Sequence, residues 1–68
     1  MSIGKRLREL RLDRGISQAA LAEIAGCSAQ HIGDIELNDK VCSVKVVRLS
    51  ADYFGVTTDY LILGKKSA

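Results

Sequence analysis

Apolar residues recur along this chain at intervals of three and four nearly throughout, the spacing that lines one face of an α-helix. Ile3, Leu7 and Leu10 fall at i, i+4 and i+7 and predict a first helix from about Ile3 to Arg14. β-branched runs are short and proline is absent, so the pattern offers little to strands. The punctuation between the apolar stripes is regular. Ser17, Ser28, Ser43 and Thr57 each precede a helical stretch, where a hydroxyl can accept from a first-turn amide. At each, the residue before the cap and the one four after it are apolar or cysteine: Ile16 with Leu21, Cys27 with Ile32, Cys42 with Val47, Val56 with Leu61. Such a pair staples the incoming chain onto the new helix. Gly15, Gly26, Gly55 and Gly64 stand where helices would stop. The result is an all-α, compact five-helix bundle with short loops and no linker or low-complexity segment.

Within it, Gln18–Leu37 reads as two short helices joined by a tight turn, a helix-turn-helix. Ala22 is small where one helix must let the other approach. Gly26 occupies the turn, and Ile32 and Ile35 point back onto the first helix, with Leu21 and Ile24 completing the shared core. At 100° per residue the direction opposite Ile32 and Ile35 falls almost on Gln30, flanked by Gly33 and Asp34, with Ala29 and His31 at the margins. These side chains would meet base edges in a major groove. Gln30 can pair bidentately with adenine, Asp34 can accept from cytosine N4, and Ala29 can touch a thymine methyl. Gly33 removes a side chain where the helix would come close to DNA, at a helicity cost of about 1 kcal/mol relative to Ala. His31 fits either a base or phosphate contact or an ordinary helix-edge position. Metal binding there is disfavoured, because Cys27 is the one other ligand type nearby.

Charge and composition narrow the partners. Lys5, Arg6, Arg8, Arg11 and Arg14 crowd the surface that the stripe of helix 1 leaves, against Glu9 and Asp13. Alone this is a solvated basic helix. Beside a helix-turn-helix it gains a second reading as a phosphate contact, with Arg14 a candidate. Leu12 falls opposite the stripe as an isolated surface leucine. At 68 residues the sequence reads as one domain, 1–68, with a small core that self-association would support. The net charge of +2 says less than the placement of the charges. Cys27 and Cys42 match no zinc spacing and form no disulfide framework, so they read as reduced, half-buried small residues. A redox role for either is a weaker alternative. No run is apolar enough to span a bilayer and the N-terminus lacks a signal-peptide core, which points to the cytoplasm. A lone histidine, no nucleophile–base pair and no phosphate-cradling glycine loop argue against an enzyme, a cofactor or a small-molecule ligand.

Taken together, IGKRLRELRLDRGISQAALAEIAG, CSAQHIGDIELND and ADYFGVTTDYLILG resemble the lambda-repressor-like helix-turn-helix family. That group includes phage repressors and Cro proteins, restriction–modification controllers and antitoxins. The resemblance implies a five-helix fold, DNA binding as a dimer and control of transcription. It implies that Gln18, opening helix 2, holds phosphate and braces the reading helix, and that Arg11 pairs with Glu36. The reading helix carries no Lys or Arg, and Leu37 stands where the family often has a basic residue. Phosphate affinity would therefore come from Ser28, Lys40, the Ser43 amide and Lys45 as well as helix 1.

Helix 4 sets Val44, Val47, Ala51 and Phe54 in a core stripe and Val46, Leu49 and Tyr53 on a second apolar face. Ser50 replaces a large apolar residue and could bond back to the Val46 carbonyl. Helix 5 then offers Tyr60, Leu61, Ile62 and Leu63 in a row, which no single face can bury. A symmetric dimer over residues 46–63, built from Val46, Leu49, Tyr53, Val56, Tyr60 and Leu63, would cover this surface. The expected function is a sequence-specific transcriptional regulator of Cro or repressor type, binding a near-palindromic operator as a homodimer. The alternative is an antitoxin or controller-type module whose main partner is another protein, held by helices 4 and 5.

Overall fold

In a computed structural model, which describes residues 3–38 and 43–64, the chain folds into five helices. They are α1 (Ile3–Arg14), α2 (Gln18–Ala25), α3 (Ala29–Asn38), α4 (Val44–Phe54) and α5 (Thr58–Leu63). Four of the starts are capped as the hydroxyl spacing predicts. Ser17 accepts from the Ala20 amide at 3.0 Å, Ser28 from His31 at 3.1 Å, Ser43 from Val46 at 3.3 Å and Thr57 from Tyr60 at 3.0 Å. Behind three of the caps, Ile16, Cys27 and Val56 lie half-buried against the core, the stapling side of the pattern. The fourth staple residue, Cys42, lies outside the described residues. At the turn between α2 and α3, Gly26 adopts φ 71°, a conformation that a Cβ would strain. Its amide reaches Glu23 O and the Cys27 amide reaches Ala22 O, so the last turn of α2 is closed by backbone alone.

The helices meet in a closed circuit: α1 on α3, α3 on α2, α2 on α4, α4 on α5, and α5 back on α1. Inside it lie Leu7, Leu21, Ala22, Ala25, Ile32, Ile35, Val46, Val47, Ala51, Phe54 and Leu61, with Ile3 and Leu10 packed at its edge. Two contacts of α1 hold the circuit shut. Gly4 is buried where α1 crosses α3, and a Cβ there would run into the Ile35 carbonyl oxygen and come within 3.2 Å of Glu36 Cα. Arg6, at 3% exposure, points inward rather than joining the basic surface expected of it. Its Nε donates to Leu61 O at 2.7 Å and its Nη2 to Ile62 O at 2.8 Å. A cation thus satisfies carbonyls at the end of α5, where the helix dipole favours positive charge.

Helix α4 departs from the expected stripe. Val46, assigned above to a dimer surface, is 2% exposed and part of the core, whereas Val44, assigned to the core, is 81% exposed. On a helical wheel Val46, Ser50, Phe54, Val47 and Ala51 span a continuous arc of about 140°, and all five are buried. The buried face is centred between the two stripes rather than on one of them. Val44, in the first helical position, precedes Val46, where burial along α4 begins. Ser50 is fully buried, yet its hydroxyl finds no hydrogen-bond partner among the described residues, so the expected bond to the Val46 carbonyl does not form. Ile24 is half-buried at the margin rather than in the core, and Leu12 is exposed.

The Gly4 crossing yields a direct test. Gly4→Ala should destabilise the fold by about 1–3 kcal/mol in urea unfolding, since the added carbon meets backbone that cannot rotate away. This is opposite in sign to the usual effect of Gly→Ala within a helix.

Candidate nucleic-acid interface

Helix α3 has one anchored side and one open side. Ile32 and Ile35 are fully buried, which turns Ala29 and Gln30 to solvent and leaves His31, Gly33 and Asp34 partly exposed. Arg8, Gln18, Ala29, Gln30, Gly33, Asp34, Glu36 and Leu37 together line a shallow, open concavity along that side. A Cβ on Gly33 would sit 3.5 Å from Gln18 Oε1, an ordinary contact. The protein itself therefore does not require a glycine there.

Beneath this face lies a charged brace. The Arg11 fork meets the Glu36 carboxylate with both arms, Nε to Oε2 at 2.8 Å and Nη2 to Oε1 at 3.0 Å. Its remaining arm donates to Ile16 O at 3.0 Å, at the loop leading into α2. Gln18 Nε2 adds a third donor to Glu36 Oε1 at 3.2 Å. The two charged side chains are 10% and 2% exposed. Hydrogen bonding to Glu36 raises the Arg11 pKa further, against the opposing effect of burial. One carboxylate thus ties α1, the α1–α2 loop and the start of α2 to the end of α3. Two parallel bonds of this kind fix orientation as well as distance.

The candidate phosphate contacts divide. Gln18, Ser28, Ser43 and Lys45 are exposed, and the Ser28 and Ser43 hydroxyls are engaged in capping. The Lys45 side chain extends over Gly26, its Nζ 2.9 Å from where a Cβ on that residue would stand. Lys40 lies outside the described residues. Arg14 is exposed as well, but its Nη2 donates to Phe54 O at 3.1 Å, and its guanidinium lies 5.5 Å from the Tyr53 ring centroid and 5.7 Å from that of Phe54. It caps the end of α4 and stacks on aromatics instead of facing the concavity. The cation that α1 does place on the concavity is Arg8, which the reading of helix 1 left undistinguished. Six residues apart, Arg8 and Arg14 differ by about 120° around the helix, so both cannot serve one face.

Cys27 is half-buried and free, and burial raises its thiol pKa against the opposing pull of Lys45. Such a thiol is a poor nucleophile at neutral pH. Of the other residues expected at the dimer surface, Leu49, Val56 and Tyr60 are half-buried and Tyr53 and Leu63 are 39% and 60% exposed; Ile62, outside that set, is 52% exposed on α5. Among the described residues no helix is long and apolar enough to cross a membrane.

Removing one partner of the brace should be severe. Arg11→Ala, which strands the Glu36 carboxylate, is expected to cost about 3–5 kcal/mol in urea unfolding. Replacing both partners by apolar residues, Arg11→Met with Glu36→Leu, should recover most of that loss.

Residues 2–61 match the family model described as a helix-turn-helix domain. The transcriptional regulator RamB of Mycobacterium tuberculosis is 36% identical over 58 residues, which cover 85% of this chain and 12% of that protein. The prophage-derived regulator YonR of Bacillus subtilis is 31% identical over 90% of this chain and 56% of its own length. The chain therefore spans about an eighth of RamB and somewhat over half of YonR. Among solved structures, the P22 c2 repressor, crystallised with a synthetic operator, superposes with a TM-score of 0.87 at 26% identity, covering 96% of this chain and 98% of that one. The controller protein C.AhdI from Aeromonas hydrophila gives 0.77 at 30% identity, over 88% and 91%. With the braced, outward-facing α3 in place, these likenesses settle the class. The chain belongs to the lambda-repressor-like helix-turn-helix family, whose members matched here are transcriptional regulators and repressors.

Proposed function

We propose that this chain, over residues 1–68, binds a near-palindromic DNA operator as a homodimer in the cytoplasm and acts in the manner of phage Cro and repressor proteins, excluding polymerase by occupying its site. The observation that carries the reading is the Glu36 brace. It fixes α3 so that Gln30, Asp34, Ala29 and the gap at Gly33 face outward as one wall. Gln30 would read adenine, Asp34 cytosine and Ala29 a thymine methyl, with His31 at the groove edge. Gln18, Ser28, Ser43, Lys40, Lys45 and Arg8 would hold phosphates. Such binding weakens steeply with salt, because each phosphate contact releases counterions.

Dimerisation is inferred from the surface of Leu49, Tyr53, Val56, Tyr60, Ile62 and Leu63, without Val46. Three of these are open and apolar on so small a fold. A two-fold axis there would set two copies of α3 about 34 Å apart, one turn of DNA. The likeness to YonR, a prophage-derived regulator, and to the operator-bound P22 c2 repressor favours a phage-type regulator.

Selection of bound sites from random duplex DNA tests this. The expected product is a near-palindrome with half-sites about one turn apart, and Gln30→Ala should select a site degenerate at one position per half, with about 1–3 kcal/mol lost on the original. A featureless pool would turn the reading to a protein partner for α4 and α5, as in an antitoxin or controller module. Gly33→Ala separates stability from function. It should raise stability by about 0.5–1 kcal/mol and weaken operator binding by about 1–3 kcal/mol, the cost of an extra carbon in a close-packed contact.

A further inference from the structure

Leu37 is 84% exposed, the most open of the large apolar side chains among the described residues. A lone surface leucine carries no meaning by itself, and Leu12 is such a case. Leu37 differs in its place. Counting 100° per residue from Gln30, Gly33 falls at −60°, Asp34 at +40° and Leu37 at about −20°. It therefore lies at the centre of the outward wall, nearly opposite the buried Ile32 and Ile35. It also lines the same concavity as Arg8, Gln18, Ala29, Gln30, Gly33 and Asp34.

The side chain has no donor or acceptor, so it can neither hold a phosphate nor read a base by hydrogen bonding. What the major groove offers an apolar side chain is the 5-methyl group of thymine. Glu36, its neighbour in sequence, is clamped by Arg11 and Gln18. The backbone that carries Leu37 is thereby held in one orientation, and an outward leucine on it presents a defined apolar surface.

We propose that Leu37 is a specificity-determining residue that packs on a thymine methyl, so that the operator half-site carries an obligatory thymine beneath the C-terminal end of α3. This rests on the operator reading above. Seven residues separate Gln30 from Leu37, about 10 Å along the helix. With bases spaced about 3.4 Å apart, the thymine stands about three steps from the base read by Gln30.

The test replaces each thymine of the selected operator in turn by uracil, which keeps every hydrogen-bonding group and loses only the methyl. Affinities are measured for the full chain and for Leu37→Ala, a substitution at an exposed site. For the unmodified protein, one thymine per half-site, about three steps from the Gln30 contact, should lose about three- to fivefold in affinity on demethylation, the worth of one buried methyl-sized group. In Leu37→Ala that sensitivity should vanish, while uracil effects elsewhere, including any at Ala29, persist. An operator with no thymine in that position overturns the proposal, as does an unchanged uracil profile in Leu37→Ala or a variant uniformly weaker on every sequence. These outcomes leave the operator reading standing. A featureless pool in the initial selection removes both.

Discussion

The Glu36 carboxylate is the constraint on which the rest depends. A charge at 2% exposure is tolerable only when its oxygens are supplied with donors. Three converge on it, two from Arg11 and one from Gln18. Because those donors come from α1 and from the first residue of α2, satisfying one carboxylate sets the relative positions of three helices. Hydrophobic packing through Ile32 and Ile35 decides which side of α3 is buried. The bidentate ion pair adds a directional constraint on its angular setting.

Much of the fold was legible because its signals are local. A serine or threonine hydroxyl, three residues from the amide it caps, needs no knowledge of the rest of the chain. The four hydroxyl caps and the glycine stops of α1, α2, α4 and α5 follow from such patterns. Misreadings came where the outcome depended on neighbours. Val46 and Val44 are chemically alike and two residues apart, and the depth of one against the openness of the other is decided by where α2 and α5 lie. Gly4 gave no warning either. Its role is a backbone crossing with Ile35, thirty-one positions away, and nothing around it in sequence marks that approach.

In the interface, the wall of α3 could be placed by angle from two isoleucines, since burial of one side dictates exposure of the other. The arginines of α1 could not be sorted that way. Arg6, Arg8, Arg11 and Arg14 look interchangeable as charges, yet two of them are buried and the others point to different places. Arg6 meets the end of α5, Arg11 meets Glu36, Arg14 meets the end of α4, and Arg8 lines the concavity. The helical wheel separates them into directions. Only the packed neighbours say which direction holds a carbonyl, a carboxylate or open solvent.

The bond from Arg6 to the carbonyls of Leu61 and Ile62 joins residues fifty-five and fifty-six positions apart, and with them the beginning of α1 and the end of α5. The five-helix unit is entered and left at neighbouring points. A fold with that geometry is portable: polypeptide can extend from either end, or both, without threading past its other helices. The same physical unit can thus recur as one-eighth of a long regulator such as RamB and as nearly the whole of the P22 c2 repressor chain seen on its operator. A buried arginine that closes one circuit of helices also makes the circuit transferable.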